Sequence, residues 1–351
     1  MDARVKPAPH EIRLARADNP KMRERDLAAQ LGISEAELVA AHVGEGVLRL
    51  EPRVNDLLTG LEAVGEVMAL TRNESAVHEK IGVYDKVVPG EQTAMALGEN
   101  IDLRIFPKLW AHGFAVEKRD GDEIRRSLQF FDKAGNAVHK VHLRPTSNLY
   151  AYQNLVERLV AADQTPEIDI DDSDAGVKPV RDGGASVEEL RDRWSKLTDT
   201  HQFFGMLRTL KLGRQQALHM VGADYAWQVE TDALTAMLDK SVETRVPIMC
   251  FVGNGGCIQI HSGPIQNVRP MGPWVNIFDE TFHLHLRTDH VRELWVVRKP
   301  TKDGHVTSVE AYDSAGELII QFFGKRKEGH DERGEWRAVA ESLSRIPARA
   351  A

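Results

Sequence analysis

His201 is the residue whose type and setting in this sequence are most suggestive of chemistry. Apolar residues spaced three and four apart predict one helix from Leu190 to Leu207, and His201 falls in its apolar stripe. A cationic turn with Lys211 and Arg214 follows. A neutral imidazole in an apolar wall can hold haem iron, and cationic side chains suit the haem propionates because they pair with carboxylates. Taken alone, the pattern also fits a core histidine bonded to a backbone carbonyl.

The composition excludes several other classes of protein. The chain has 351 residues and a formal net charge of −8, which favours two domains and argues against a general nucleic-acid or anionic-membrane binder. Cys250 and Cys257 form no Cys-x-x-Cys pair, so we expect buried thiols, without a disulfide, covalent haem attachment or a cysteine-rich metal site. A charged N-terminus and the lack of an apolar run of ~18 residues predict a cytoplasmic chain without membrane insertion.

The sequence contains an internal duplication. Residues 67–70 and Asn73 recur, 181 positions later, as residues 248–251 and Asn254. Each copy begins with helical patterns and continues as consecutive β-hairpins. The predicted fold is therefore α+β, in which a helical segment plus a large antiparallel β-sheet is duplicated as two similar halves packed together.

Local signals predict where the elements begin and end. Ser34 and Glu37 form a capping-box pattern at the start of a helix that reaches His42, and a last helix is expected near residues 336–344. Turn residues predict three hairpins, with turns at residues 132–135, 253–256 and 313–316. The predicted domains are a first repeat (1–162), an acidic, solvated linker (163–186) and a second repeat (187–351).

From Asn19-Pro20-Lys21 to about Lys327, these motifs resemble the cytoplasmic hemin-degrading factor and haem utilisation family of bacteria (HemS/ChuS/PhuS type). The resemblance implies a role in haem transport and iron acquisition, non-covalent binding of haem b, and His201 as the axial ligand of the iron. It also implies contacts with the haem periphery and pocket from a further set of residues in the second copy: Arg214, Gln215, Phe251, Lys299 and Arg326.

The resemblance assigns two residues of the first copy as well. In the segment Asn100–Pro107, Arg104 would reach over the distal face of the haem and Phe106 would line the pocket. Strand alternation places Leu103 and Ile105 on one face, and Arg104 and Phe106 on the other. An arginine beside a phenylalanine suits a cofactor wall better than a solvent face. The pocket is then expected between the two copies.

Haem delivery and haem breakdown remain alternatives at this point. A carrier needs reversible binding and a docking surface for its acceptor. A degrading enzyme of the haem oxygenase type needs electrons and a donor that stabilises developing negative charge, a role open to Arg104. The sequence has no Rossmann or flavin motif, so an external reductant would supply the electrons. We expect a monomer or homodimer that hands haem to a partner such as a haem oxygenase, with degradation as the alternative.

A DNA-binding function competes with haem binding. Residues 26–38 resemble a helix-turn-helix. The second helix carries Glu35 and Glu37, however, and it has no lysine or arginine to meet phosphate. Nucleic acid is therefore not an expected partner.

A non-haem metal site is the second rival. His283 and His285 lie two residues apart on a predicted strand, and Glu280 or His261 could complete a metal site with them. An exposed strand face explains the same spacing. Another pair, His139 and His142, has a spacing that does not fit one strand face, and both residues are expected at the surface.

Overall fold

The chain folds into two compact units. The computed structural model describes residues 6–171, 184–326 and 329–347. Of these, unit 1 holds residues 6–72, 79–171 and 253–259, and unit 2 holds residues 73–78, 184–252, 260–326 and 329–347. Each unit therefore contains one short segment from the other half of the sequence. In each of these segments the chain turns from one strand to the next. The two turns occupy equivalent positions in the internal repeat.

Unit 1 combines helices with antiparallel strands. Its helices are α1 (Pro9–Asp18), α2 (Glu24–Leu31), α3 (Glu35–Ala40), α4 (Val54–Val64) and α5 (Leu149–Leu159). Its strands are β1 (Val47–Leu50), β2 (Val67–Arg72), most of β3 (Ala76–Gly82), β4 (Val87–Val88), β5 (Ala94–Leu97), β6 (Asp102–Ile105), β7 (His112–Asp120), β8 (Glu123–Phe131) and β9 (Ala137–Leu143). Strands β1, β7, β8, β9 and β2 lie side by side in that order. Strands β4, β5 and β6 form a meander.

Unit 2 has the same plan. Its helices are α6 (Val187–Ser195), α7 (Gln202–Leu210), α8 (Arg214–Val221), α9 (Ala233–Thr244) and α10 (Gly334–Glu341). Its strands are β10 (Ala226–Val229), β11 (Ile248–Gly253), part of β12 (Cys257–Gly263), β13 (Val268–Met271), β14 (Trp274–Phe278), β15 (Phe282–Arg287), β16 (Glu293–Thr301), β17 (Gly304–Tyr312) and β18 (Leu318–Gly324). Strands β10, β16, β17, β18 and β11 follow the order of β1, β7, β8, β9 and β2.

The repeat extends to irregular features. The register shifts between Phe130 and Phe131 in β8, and between Ala311 and Tyr312 in β17, at positions 181 residues apart. Asn254 accepts hydrogen bonds from the N–H groups two and three residues later, and Asn73 does the same in its own turn. The α+β prediction and the internal duplication are confirmed.

The sheet of unit 2 is covered on both faces. Strand alternation in β17 turns Val309 and Ala311 towards the core shared with α9 and α10. Tyr312 faces the opposite core, which is shared with α6, α7 and α8. Ser308 and Glu310 lie on the Tyr312 face and are fully buried. This second face carries the candidate site.

The predicted capping box, the hairpin turns at residues 132–135 and 313–316 and the last helix are confirmed. Ser34 caps α3, and its hydroxyl accepts the Glu37 N–H while the Glu37 carboxylate accepts the Ser34 N–H. The hairpin turns at residues 132–135 and 313–316 separate β8 from β9 and β17 from β18, and α10 is the expected last helix. Cys250 and Cys257 are free and buried. No helix in the described ranges is both long and apolar enough to cross a membrane.

The start of the predicted linker differs from expectation. Ile168 and Ile170 pack against a core cluster that includes Ala36 and Val39 of α3. The N–H of Asp171 also donates to the Lys133 carbonyl at 2.9 Å. These contacts hold the segment against the core, although its acidic composition predicted that it would be solvated. The next part of the linker, residues 172–183, lies outside the described residues.

Candidate functional site

The helix predicted through His201 is interrupted. α6 ends at Ser195, and α7 begins at Gln202. The first side chain of α7 bonds the backbone of the gap: Gln202 Oε1 accepts the N–H groups of Thr198 and Asp199. Such local bonds compete with helical ones, which explains the break. His201 is consequently the N-cap residue of α7, and its side chain is 91% exposed instead of lying in an apolar stripe.

Asp199 orients the His201 ring. Its Oδ1 lies 2.6 Å from Nδ1 of His201 and accepts the His201 backbone N–H at 2.7 Å. That backbone N–H holds the pKa of Asp199 below its ordinary value. A carboxylate at Nδ1 favours the tautomer whose Nε2 lone pair is available. Within the described part of the chain, Nε2 makes no hydrogen bond, so it is open to a metal of an incoming ligand.

An exposed aromatic ring and a largely buried arginine follow His201. Phe204 is 64% exposed, whereas Phe203 beside it is buried. The two rings meet edge to face, with centroids 6.3 Å apart. The guanidinium of Arg214 lies 5.2 Å from the Phe203 ring centroid and 5.3 Å from that of Phe204. An exposed ring next to an available imidazole suits a flat apolar ligand.

Glu310 binds two cations, Arg214 and Lys299, that the family resemblance assigns to the haem periphery. It forms two bonds with Arg214, at 2.9 Å to Nε and 2.8 Å to Nη2. Lys299 Nζ donates to it at 2.7 Å. The remaining donors to its carboxylate are Ser308 Oγ at 2.7 Å, Tyr312 Oη at 2.7 Å and Gln321 Nε2 at 3.0 Å. We call Arg214, Lys299, Ser308, Glu310, Tyr312 and Gln321 the Glu310 cluster.

The electrostatics of the Glu310 cluster favour a further anion. Burial alone would raise the pKa of Glu310, but Arg214 and Lys299 outweigh it and hold that pKa well below the ordinary value. Burial lowers the pKa of Lys299 to about 8, and Glu310 only partly offsets this effect. At pH 7 the cluster thus holds two cations and one carboxylate. Arg214 Nη1 makes no hydrogen bond within the described residues and can accept a second carboxylate as partner.

The other second-copy residues have distinct settings. Phe251 is half-buried, and its ring centroid lies 5.0 Å from that of Phe323, which itself lies 6.0 Å from Lys299 Nζ. Arg326 is half-buried and contributes to the lowered pKa of Asp199. Gln215 lies elsewhere, with its amide beside the turn glycine Gly316. Phe251 and Arg326 thus neighbour the site through Phe323 and Asp199.

Arg104 and Phe106 lie in unit 1. Burial along β6 alternates as predicted: Leu103 and Ile105 are buried, while Arg104 and Phe106 are half-exposed. The Arg104 guanidinium pairs with the Asp102 carboxylate on the same face of the strand. The N–H of Phe106 donates to the Gly256 carbonyl at 3.0 Å. The half-exposed guanidinium is a donor available to a ligand.

Unit 1 has a corresponding ion pair between a helix and the sheet, but the charges of the partners are reversed. Arg214 is the first residue of α8, and Glu35 is the first residue of α3, its counterpart in the repeat. Glu35 is buried and bound by Arg72 and Lys140 of the sheet. The helix thus supplies the carboxylate in unit 1 and the cation in unit 2. The pair of cations around Glu310 is therefore a property of the unit 2 sequence and not of the shared fold.

The described residues do not form the rival sites. Five of the six residues of α3 are buried, namely Glu35, Ala36, Leu38, Val39 and Ala40, so this helix presents almost no surface to a DNA groove. His285 Nδ1 lies 2.7 Å from Asn276 Oδ1, and the His261 ring stacks on Phe282 at 4.0 Å. In the parts of the chain that the structure describes, no group of three or more His, Cys, Asp or Glu is arranged to hold a metal.

His139 was expected at the surface and is instead buried in unit 1. Its Nδ1 lies 2.8 Å from Thr71 Oγ1, and its Nε2 lies 2.6 Å from Tyr84 Oη. The Trp110 ring packs at 5.9 Å. Burial lowers the pKa of His139 to about 3, so this ring is neutral at physiological pH and fills the core of unit 1.

Sequence reasoning missed Glu310 and the role of Asp199. Glu310 lies on β17, where Ser308, Glu310 and Tyr312 place a polar group at every second position. That period-two polar stripe was the available signal, because a buried carboxylate must find cations. Asp199 precedes His201 by two residues, and an aspartate side chain often accepts the backbone N–H two residues further along, as in an Asx turn.

Comparisons with known proteins identify the family of this chain. The chain matches the family described as "Haemin-degrading HemS.ChuX domain" over residues 32–159 and 211–343. The hemin transport protein HemS of Yersinia enterocolitica is 41% identical over 324 residues, which cover 92% of this chain and 93% of that protein.

Two solved structures are similar throughout. Holo-PhuS, a heme-binding protein from Pseudomonas aeruginosa, is 41% identical with a TM-score of 0.91, over 97% of this chain and 100% of that one. ChuS, a heme degrading enzyme of Escherichia coli O157:H7, is 36% identical with a TM-score of 0.88, over 96% and 98%. The family model matches two segments of this chain, and the relatives are similar over nearly its full length. The chain therefore belongs to the haemin-degrading HemS.ChuX family.

Proposed function

We propose that this chain binds hemin non-covalently, as haem b, with His201 Nε2 as the axial ligand. The observation that carries the proposal is the exposed His201 ring, oriented by Asp199 and flanked by exposed Phe204. Residues placed this way fit haem, because the iron needs an imidazole nitrogen and the porphyrin needs an apolar surface. Arg214 and Lys299 would pair with a propionate, and Phe251 and Arg326 would extend the contact.

The biological role that we propose is haem delivery in the cytoplasm during iron acquisition. The relatives called hemin transport protein and heme-binding protein support this role. A non-covalent ligand bound at an exposed histidine can leave again, as delivery requires. The acceptor that we propose is another haem protein, such as a haem oxygenase.

Haem degradation is the second candidate. The description of ChuS as a heme degrading enzyme favours it. In this chain, the setting of the Arg104 side chain also supports it. Its half-exposed guanidinium, anchored by Asp102, would donate hydrogen bonds to negative charge that develops as oxygen is reduced. Haem itself would supply the redox chemistry, and an external reductant would supply the electrons.

A titration of the haem-free protein with hemin tests the proposal. We expect a saturable Soret band at one hemin per chain. Ascorbate is then added under air with catalase present. A Soret band that survives, together with hemin transfer to a haem oxygenase, supports delivery. Soret loss with release of iron and a tetrapyrrole supports degradation, and no specific band at all contradicts haem binding.

A further inference from the structure

Glu310 is the centre of a buried polar cluster that the sequence did not reveal. Its carboxylate is fully buried and accepts six hydrogen bonds, counted over the described residues. Two of these bonds come from Arg214 and one comes from Lys299. The two cations are brought together from α8 and β16 by one acceptor on β17. Without Glu310, no carboxylate of the described cluster would hold both side chains.

The bonds to Glu310 fix the direction of Arg214. Nε and Nη2 both point at the carboxylate, at 2.9 and 2.8 Å. Tyr312 Oη reinforces this orientation, because it accepts from Arg214 Nε at 3.0 Å and donates to Glu310. The guanidinium plane is therefore locked, with Nη1 on the side away from the carboxylate and the Phe203 and Phe204 rings within 5.3 Å.

We propose that Glu310 is a positioning residue, which holds Arg214 and Lys299 as a binding site for a single carboxylate of the ligand. The inference rests on the proposed function, since that ligand carboxylate is a propionate of hemin. Two cations and one internal carboxylate leave a net charge of +1, which matches one propionate. The second propionate must find its partners elsewhere.

A competing role for Glu310 makes the opposite prediction. If Glu310 only neutralised the two cations, it would compete with the propionate, and its removal would strengthen hemin binding. If it positions them, its removal weakens binding, because Arg214 and Lys299 lose their common acceptor. The sign of the change in hemin affinity therefore separates the two roles.

Glu310→Gln is the first test, with hemin and hemin dimethyl ester as probes. We expect hemin affinity to fall about tenfold, which corresponds to about 1.4 kcal/mol. The ester lacks free carboxylates, so its affinity should change less than about twofold. Glu332→Gln is the matched control, because Glu332 is also a buried carboxylate of unit 2 but bonds Thr307 N and Arg337. It should leave the affinities for both probes unchanged.

The pH dependence of the preference for hemin over its ester is a further test. A purely structural role of Glu310 would leave this pH dependence unchanged. In the wild type, the preference for hemin over its ester should decline as pH rises through about 8, where Lys299 loses its proton. In Glu310→Gln the decline should begin at lower pH, because the carboxylate that supports the charged lysine is gone. The titratable and charged groups that act on Lys299 are Arg214 on α8 and Glu310 on β17.

Tyr312→Phe keeps the proposal testable if Glu310→Gln does not fold, as judged by circular dichroism. It removes one hydroxyl that bonds both Glu310 and Arg214, and we expect about threefold weaker hemin binding with unchanged ester binding. Hemin affinity that is unchanged or increased in the folded variants overturns the positioning role. A wild type that binds hemin and its ester equally overturns the carboxylate site but leaves haem binding intact. A wild type that binds neither probe refutes the proposed function itself.

Discussion

One oxygen of Asp199 bridges the ring and the main chain of His201. It lies 2.6 Å from Nδ1 and 2.7 Å from the backbone nitrogen. The bridge fixes the rotamer of an otherwise exposed side chain and leaves Nε2 as the nitrogen that faces outward. Histidine ligands of metals usually have such a carboxylate or carbonyl at the other ring nitrogen, which raises their basicity.

Asp199→Asn should therefore weaken hemin binding without abolishing it. An amide holds the ring less firmly and is a poorer acceptor, so we expect about tenfold weaker binding. This is near the low end of the losses in affinity caused by mutating the hydrogen-bond partner of a metal ligand.

His201→Ala should remove the axial bond altogether and shift the Soret maximum. Absorbance titrations of both variants measure these effects. His219→Ala is the control, since His219 is an exposed histidine of unit 2 paired with Glu293. A His201→Ala spectrum identical to the wild type would exclude His201 as the ligand.

Phe204 should contribute to binding but not to folding. It is 64% exposed, so Phe204→Ala should change the free energy of unfolding by no more than about 0.5 kcal/mol. It should weaken hemin binding about fivefold, because a porphyrin would lose the apolar area of one ring. Urea unfolding and hemin titration measure the two effects.

Phe203→Ala is the matched comparison for Phe204→Ala. Phe203 is buried in the core shared by α6, α7 and α8, so its loss should cost about 3–5 kcal/mol of stability. A Phe204→Ala variant that is strongly destabilised, or that binds hemin like the wild type, would show that Phe204 has no role in the ligand surface.

The sequence predicted the repeated framework better than the chemistry of the site. Turns such as Asp132–Gly135 and period-two alternation are local signals, and the hairpins predicted at residues 132–135 and 313–316 are present. The break before His201 depends on the side chains of Gln202 and Asp199, which accept backbone N–H groups of residues 198, 199 and 201. Apolar periodicity does not record such bonds. Glu310 acquires its partners from α8, 96 residues away in the sequence, and no local pattern encodes such a pairing.

Arg104 distinguishes the two candidate functions. Its side chain is about one-third exposed and paired with Asp102, so Arg104→Ala should leave the fold intact and hemin affinity within about threefold. If the chain degrades haem, the variant should consume hemin at least tenfold more slowly with ascorbate, because removal of one preorganised donor typically costs that much or more.

Arg126→Ala provides the control for Arg104→Ala. Arg126 is another partly exposed arginine of unit 1, paired with Glu117 at 3.0 Å, and its removal should not alter the reaction. Equal rates of Soret loss in wild type and Arg104→Ala would exclude Arg104 as a donor. A wild type with no Soret loss under catalase would favour delivery.

His139 should make the protein sensitive to acid. Burial lowers its pKa to about 3, whereas the unfolded chain binds this proton near pH 6.5. Between these values only the unfolded state is protonated at His139, so the free energy of unfolding falls as pH falls below 6.5. By pH 5 the loss attributable to this residue is about 2 kcal/mol, at about 1.4 kcal/mol per pH unit.

Urea unfolding of the wild type and of His139→Gln at pH 7 and pH 5 measures this contribution. The variant should be less stable at pH 7, because the ring bonds to Thr71 and Tyr84 are lost, but it should lose about 2 kcal/mol less than the wild type between the two pH values. His10→Gln, at an exposed histidine of α1, should retain the full wild-type dependence. If His139→Gln shows the same loss between pH 7 and pH 5 as the wild type, the pKa of His139 does not differ between the folded and unfolded states, and His139 is not the source of the acid sensitivity.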